Sequence, residues 1–133
     1  MNIRNVFVLL ASFFCLGVFL FVSVVNGDNV TIVISEIGAY ESSGHEWIEI
    51  VNVSNDAVDL TDWVFWEGET NHGLVLVQGE DVTLAPNEYA LIVQNDTLFL
   101  QQYPAVTTTI FDSSWGSLNE GGELIGLKNA EAE

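Results

Sequence analysis

The amino-acid sequence predicts an all-β fold, a sandwich or barrel of about six to eight short strands. From Val30 onward, runs of β-branched and aromatic residues are separated by Gly, Asn, Asp, Ser and Pro. No long segment there has apolar residues at the i, i+3, i+4 spacing of an amphipathic helix. The runs follow one another at the short intervals that are typical of β-sandwiches.

The first three strands are predicted by their side-chain patterns. In residues 30–37 and 46–53, isoleucines alternate in part with polar residues, as expected for strands with one buried face. Residues 58–66 follow, with an aromatic cluster at their end. These runs predict three strands.

Short strands are predicted next, at residues 74–77 and 82–84, joined through the turn residues 78–81. Residues 85–88 (APNE) form a proline turn that leads into a strand at 89–93.

One short helix is predicted after these strands. Asp96 is the expected N-cap, residues 98–103 wind the helix, and Pro104 ends it. A strand at 107–111 follows. A turn rich in Gly and Asn then leads into a last strand at 123–127.

Residues 1–27 are predicted to be an export segment. Residues 6–25 carry no charge, follow Arg4 and precede a small-residue cleavage site at Gly27. The segment is a signal peptide cleaved after Gly27 or, because its apolar stretch is long enough to span a bilayer, an N-terminal membrane anchor and tether. Either alternative places residues 28–133 outside the cytoplasm, by the positive-inside rule.

The charge of the chain restricts its partners. Nineteen acidic residues face two basic ones, for a net charge of −17, and all the acids follow residue 27. Nucleic acids and anionic lipid surfaces need clustered Lys and Arg, so they are excluded as partners. Cations, basic surfaces and neutral polymers are favoured. No cysteine follows residue 27, which excludes disulfides, thiol catalysis and cysteine-based zinc sites there.

Five short motifs occur in a fixed order along the chain: ISEI at 34–37, EWIEIVN at 46–52, VDLTDW at 58–63, LAPNEYALIV at 84–93 and LNEGGEL at 118–124. Together they resemble the lamin tail domain family. The resemblance covers about residues 30–128, nearly all of the predicted exported part.

The resemblance implies that residues 28–133 form an immunoglobulin-like β-sandwich without catalytic activity of its own. Family members occur in nuclear lamins and also in exported bacterial and archaeal proteins, often beside hydrolase or other surface domains. Asn87 stands where glycine is common in the family, a mild change because Asn tolerates positive φ. The family pattern continues into a closing strand beyond the last residues of this chain. We therefore expect a fragment that lacks its last strand.

No catalytic, cofactor or metal residues are assigned from the sequence. Neighbouring acids such as Glu46/Glu49, Glu67/Glu69 and Glu80/Asp81 are expected by chance in so acidic a chain, and their spacing does not place them across a cleft. His45 and His72 lack the second histidine of a His-Glu-x-x-His helix and are predicted to lie in loops or to face solvent. The serines have no Gly-x-Ser-x-Gly elbow around them.

Two kinds of site stay open as minority interpretations. Calcium has oxygen ligands available in two acidic groups, although no Asp-x-Asp-x-Asp-Gly loop is present: Asp56, Asp59 and Asp62, or Glu67, Glu69, Glu80 and Asp81. N-glycosylation acceptors occur in form at Asn29, Asn52 and Asn95.

The four tryptophans suggest an aromatic platform for a sugar or peptide ligand. Trp47 and Trp63 are predicted to be mainly structural, because an indole buries a large area in a core without disulfides. Trp66, which precedes Glu67-Gly68, and Trp115, which precedes Gly116, are the better surface candidates.

These observations favour a non-enzymatic extracytoplasmic module that serves for binding or anchoring as part of a cell-surface or secreted protein. Its expected partner is a cell-surface polymer or a protein, without cofactors. One alternative is an accessory domain of an exported hydrolase or nuclease whose catalytic part lies outside this chain. Another is a calcium-dependent adhesion domain.

Overall fold

The structure is a computed structural model that describes residues 30–39, 41–119 and 121–131. The predicted export helix, the cleavage site at Gly27 and the tether at 6–25 lie outside these residues. No helix within the described ranges is long and apolar enough to cross a membrane. The described elements are β1 (Ile32–Gly38), β2 (Trp47–Asn52), β3 (Val58–Asp59), β4 (Val64–Glu67), β5 (Thr70–Gly73), β6 (Val75–Gln78), β7 (Thr83–Leu84), β8 (Tyr89–Val93), α1 (Asp96–Gln102), β9 (Thr109–Asp112) and β10 (Ile125–Lys128).

The strands form an immunoglobulin-like sandwich, which confirms the predicted fold class. The larger sheet has five strands in the order β1-β2-β8-β9-β6, and the smaller has three in the order β10-β4-β5. β3 and β7 make a two-stranded sheet of their own. All pairs are antiparallel except β8 with β9, whose connection contains α1 as a crossover.

The main core lies between the larger and the smaller sheet. Ile48, Ile50, Ile92 and Phe111 from the larger sheet meet Phe65 from the smaller one, and each is at most 1% exposed. Burying an isoleucine or phenylalanine side chain contributes about 1.5–3 kcal/mol. This apolar layer therefore holds the two sheets together without any disulfide.

A second apolar cluster lies on the outer face of the larger sheet, under α1. Leu91, Val93 and Ile110 pack there against Phe99 of the helix. β8 is therefore covered on both faces, which explains why its sequence is apolar almost throughout instead of alternating.

The predicted strand at 58–66 is two strands, because a turn interrupts it. The Trp63 amide donates to the Leu60 carbonyl (3.1 Å), and Asp62 has a positive φ of 61°, which Asp adopts more readily than most residues. β3 pairs with β7, whereas β4 belongs to the three-stranded sheet.

The predicted strands at 74–77 and 82–84 exist, but they are not neighbours in one sheet. β6 pairs with β9, and β7 pairs with β3. β5 was not predicted, since its residues Thr70–Gly73 include none of the apolar β-formers. The split at 58–66 and the additional β5 bring the described strands to ten.

Two tight turns use positive φ. Asn87 has φ 63° in the proline turn, where the Glu88 amide donates to the Ala85 carbonyl (3.0 Å). The conformation predicted for Asn87 is therefore present. Gly68 and Glu69, at φ 50° and 69°, form the two-residue loop between β4 and β5.

The helix is present, but its predicted cap was wrong by one residue. Asn95 is the N-cap, and its side chain accepts a hydrogen bond from the Leu98 amide (3.0 Å). Asp96 lies in the first turn instead, where its own amide donates to Asp112 (3.0 Å). Tyr103 is the C-cap, directly before Pro104.

Candidate functional site

The outer face of the three-stranded sheet presents Trp66. Side chains alternate across a strand, and Phe65 is fully buried in the core. Trp66, the next residue of β4, therefore points to the opposite side, where it is partly exposed. β4 is the central strand of this sheet, so Trp66 lies in the middle of the face.

Two glycines leave the sheet surface near Trp66 uncovered. In the strand register, Trp66 pairs with Asn71 of β5 on one side and with Gly126 of β10 on the other. Gly73 lies on the same face, opposite Val64. A Cβ placed on either Gly73 or Gly126 would meet no atom within 4 Å.

Lys128 crosses this face from β10. Its ammonium lies 4.9 Å from the centre of the Trp66 ring and donates a hydrogen bond to the Asn71 Oδ1 (3.2 Å). Lys128 is the one basic residue after Arg4. It forms no salt bridge, since His72 with Glu67 is the one ion pair found among the described residues.

We call this set, formed by Trp66, Asn71, Lys128, Gly73 and Gly126, the Trp66 face. It combines a broad apolar ring, a neutral amide and a cationic donor on rigid strands. Such a surface can stack against a flat apolar group and hydrogen-bond the polar groups around its rim. We assign no reaction to it.

Trp115 was predicted to be a surface candidate, and this is wrong. Trp115 is 7% exposed, and its ring centre lies 4.9 Å from that of Phe65. Its indole nitrogen donates to the Glu46 Oε2 (3.0 Å), which also accepts from the Leu118 amide (2.9 Å). The buried carboxylate of Glu46, the residue before β2, therefore holds Trp115 inside the sandwich.

The other two tryptophans pack, each in a different place. Trp63 contacts the main core, and Trp47 packs against the cluster under α1. A Cβ on Gly38 would clash with the Trp47 indole, so the glycine makes room for that ring. Neither residue belongs to the Trp66 face.

His72 does not face solvent as predicted. It lies on the core side of β5, with 14% of its side chain exposed. One ring nitrogen is 3.0 Å from the Ser114 carbonyl and the other 3.2 Å from the Glu67 Oε1. His45 lies in the loop before β2, where its ring contacts Ser42 (3.0 Å).

Two of the acidic side chains named as possible calcium ligands, Asp59 and Asp81, accept hydrogen bonds within local turns. Asp59 accepts hydrogen bonds from the hydroxyl (2.6 Å) and the amide (2.8 Å) of Thr61. These two bonds hold the pKa of Asp59 below 3.8, and burial opposes them weakly. Asp81 accepts from the Thr83 amide in the same way (2.8 Å).

An acidic cavity of about 330 Å³ lies near the end of β6. Glu80, Asp81 and Glu88 line it together with three threonines. Within the described part of the chain, however, no three His, Cys, Asp or Glu residues are grouped so that they would hold a metal ion. Glu88 uses one carboxylate oxygen to accept from the Ala85 amide (2.8 Å).

The structure separates the side chains of two of the adjacent acid pairs, Glu46/Glu49 and Glu67/Glu69. Glu46 is buried at 3% exposure, whereas Glu49, on the other side of β2, accepts from the Ser35 hydroxyl (2.7 Å). Glu67 contacts His72, and Glu69 lies in the hairpin loop. The two members of each of these two pairs therefore have different surroundings, whereas Glu80 and Asp81 line the same cavity.

The structure separates the three sequons. Asn29 lies outside the described residues. Asn52 is 0% exposed, and its Nδ2 donates to the carbonyls of Asp56 (2.9 Å) and Leu84 (2.8 Å). Its amide nitrogen is therefore not accessible in the folded domain. Asn95 is exposed, and its Oδ1 caps α1.

Asn71 and Lys128 were not identified from the sequence, although Trp66 was. Once β4, β5 and β10 are aligned, alternation places all three side chains on one face. The sequence does not predict the strand at residues 70–73, so it does not predict the pairing of β4 with β5 that places Asn71 beside Trp66. The isolated Lys128 was the one signal present, as a single cation in an acidic chain.

A family model described as the lamin tail domain matches residues 26–133. No curated protein matches the chain, and neither does any solved structure.

Proposed function

Because the chain belongs to the lamin tail domain family, we propose that it is an extracytoplasmic module that binds or anchors to a cell-surface polymer or protein partner. The matched region is an immunoglobulin-like domain of a non-enzymatic family. Binding is therefore the activity to look for in this part of the chain.

The Trp66 face is the observation that carries the proposal. Trp66 lies at the centre of a sheet face between Asn71 and Gly126, and the Lys128 ammonium lies over its ring. Such a partly exposed aromatic residue is the kind that anchors a binding interface.

An extracytoplasmic location is supported by the predicted export segment. The 133-residue chain begins with an uncharged stretch behind Arg4, followed by residues that carry all nineteen acids. Such a surface repels nucleic acids and anionic lipid headgroups. An accessory role beside an exported hydrolase or nuclease is compatible with this proposal, since such a module would also work by binding.

The binding role is tested with isolated cell envelopes of the source organism. We expect the 133-residue chain to sediment with the envelopes more completely than Trp66→Ala does, because residues 6–25, which both chains carry, contribute equally to the sedimentation of each. Tyr89→Ala is the matched control, because Tyr89 is an aromatic residue exposed to 49% on the larger sheet. Equal sedimentation of wild type and Trp66→Ala would contradict a role for the Trp66 face.

Location is tested separately. A reporter enzyme that is active only outside the cytoplasm is fused after Glu133, and its activity is expected. Replacing apolar residues in 6–25 with charged ones should abolish that activity. Full activity in the charged variant would contradict export through this segment.

A further inference from the structure

We propose that the Trp66 face binds a neutral polysaccharide, with one pyranose ring stacked on Trp66 and its hydroxyls bonded by Asn71 and Lys128. This inference rests on the proposed function and names the ligand class of the same site. It follows from the shape of the face, the chemistry of its rim and the charge of the domain.

The shape of the face suits a flat ring. Trp66 is on the central strand, and the neighbouring strands lie about 4.8 Å away on each side. Gly126 occupies the position beside it on β10, and Gly73 stands on β5, so no side chain rises there. A pyranose presents a face of C–H groups, and such a face packs against an indole ring.

The rim of the face suits hydroxyl groups. Asn71 offers an amide that both donates and accepts, and Lys128 offers an ammonium that only donates. Pyranose hydroxyls do both as well. Lys128 donates to Asn71 at 3.2 Å, and within the described residues Lys128 forms no ion pair with a carboxylate.

Lys128 must move aside when a ring stacks on Trp66. Its ammonium lies 4.9 Å from the ring centre, a partly exposed contact of the weaker kind. The lysine stem is flexible, so the ammonium can leave the ring and donate to a hydroxyl without any change in the strands. The contact therefore keeps the Lys128 ammonium beside Trp66, within reach of the hydroxyls of a sugar bound there.

The charge of the domain selects against anionic polymers. The net charge is −17, and Lys128 is the one cation after Arg4. A polyuronate or a nucleic acid would meet repulsion over most of its length, whereas a neutral polysaccharide meets none. One lysine is enough to donate to a hydroxyl but not to hold a polyanion.

The test is affinity electrophoresis of the purified full-length chain in gels with a soluble neutral β-glucan, a soluble chitin derivative or alginate, a polyuronate. We expect retardation by a neutral polymer and none by alginate. Trp66→Ala should weaken binding about tenfold or more, and Lys128→Met about threefold to tenfold. Tyr89→Ala should bind as wild type does. Circular dichroism establishes that each variant is folded.

The outcomes distinguish the proposed binding function from the proposed neutral-polysaccharide ligand. Retention by alginate alone would overturn the neutral-polymer inference and leave the binding function. Binding to envelopes that depends on Trp66, without retention by either neutral polymer, would also overturn it in favour of a protein partner. Neutral-polymer binding that Trp66→Ala leaves unchanged would place the sugar site elsewhere. Absence of binding to polymers and envelopes alike would overturn both proposals.

Discussion

The side chain of Asn52 stabilises the domain through four hydrogen bonds. Its side chain is fully buried, accepts from the Ser54 amide and hydroxyl, and donates to two backbone carbonyls 4 and 32 residues away. All four hydrogen bonds of the carboxamide are made. Asn52 therefore connects the loop after β2 to the turn after β7.

We expect Asn52→Ala to lower the free energy of unfolding by about 2–4 kcal/mol, because it leaves buried carbonyls and an amide without partners. Urea unfolding followed by tryptophan fluorescence measures the change. Asn55→Ala is the control, since Asn55 is exposed on the same loop, and it should change stability by less than about 0.5 kcal/mol. Similar losses in both variants would contradict the assigned role.

Asp59 gives a prediction for acid. Its pKa is below 3.8 in the folded chain because the Thr61 hydroxyl and amide donate to the carboxylate. The unfolded state therefore binds the proton more readily than the folded state does. The contribution of Asp59 to the free energy of unfolding is complete when the pH is above the ordinary pKa of an aspartate, and it is lost as the pH falls through the lower pKa of the folded state.

Asp59→Asn removes this titration. We expect the stability difference between wild type and Asp59→Asn to shrink as the pH falls below about 4. Urea unfolding of both proteins at a series of pH values measures the stability difference. Because the other acids titrate in both proteins, their effect cancels when the two free energies of unfolding are subtracted. A difference that stays constant across this range would contradict the prediction.

The residues of the candidate site were only partly predictable. Trp66 and Trp115 look alike in sequence, since each stands beside a glycine or one residue from it. What separates them is Glu46, which reaches Trp115 across 69 positions of the chain. A contact over that distance leaves no local pattern, so the burial of Trp115 was not foreseeable.

At the scale of elements, the β4–β5 hairpin has a strained loop. A two-residue loop of this kind needs positive φ at both positions, and Glu69 adopts φ 69° although it is not glycine. Left-handed backbone costs an ordinary residue roughly 1–2 kcal/mol. Glu69 lies at the end of the sheet that carries the Trp66 face.

We expect Glu69→Gly to be more stable than Glu69→Ala by about 1 kcal/mol. The alanine variant is the control because it removes the same charge and keeps the strained backbone. Thermal and urea unfolding of the two variants measure the difference. An alanine variant as stable as the glycine variant would show that the loop carries no strain.

Elements were predictable where the pattern is local. β8 was predicted with the bounds it has, because an apolar run follows a proline turn. β5 was missed because Thr70–Gly73 becomes a strand only by pairing with β4. The cap of α1 was misplaced since Asn95 and Asp96 are both good caps, and the choice depends on Asp112.

At the scale of the whole molecule, the fold class followed from turn spacing and the family motifs, whereas the pairing of strands did not. Consecutive strands such as β6 and β7 belong to different sheets. Charge is the other property of the whole chain. Nineteen acids oppose two bases, and His72 with Glu67 is the single ion pair within the described segments.

Repulsion of this kind destabilises the compact state, and salt should relieve it. The Debye length falls from about 30 Å at 0.01 M to about 3 Å at 1 M. We expect the melting temperature to rise by at least about 4 °C across that range of NaCl, which corresponds to about 1 kcal/mol. Calorimetry or circular dichroism measures the midpoint.

Two controls distinguish screening from a bound cation. A variant with Glu36→Gln, Glu69→Gln and Glu80→Gln should show a smaller rise, because these exposed acids contribute to the repulsion. CaCl₂ at matched ionic strength should give the same midpoint as NaCl. A melting temperature that does not change with NaCl, but rises with dilute CaCl₂ and falls again with a chelator, would contradict screening and establish a calcium site.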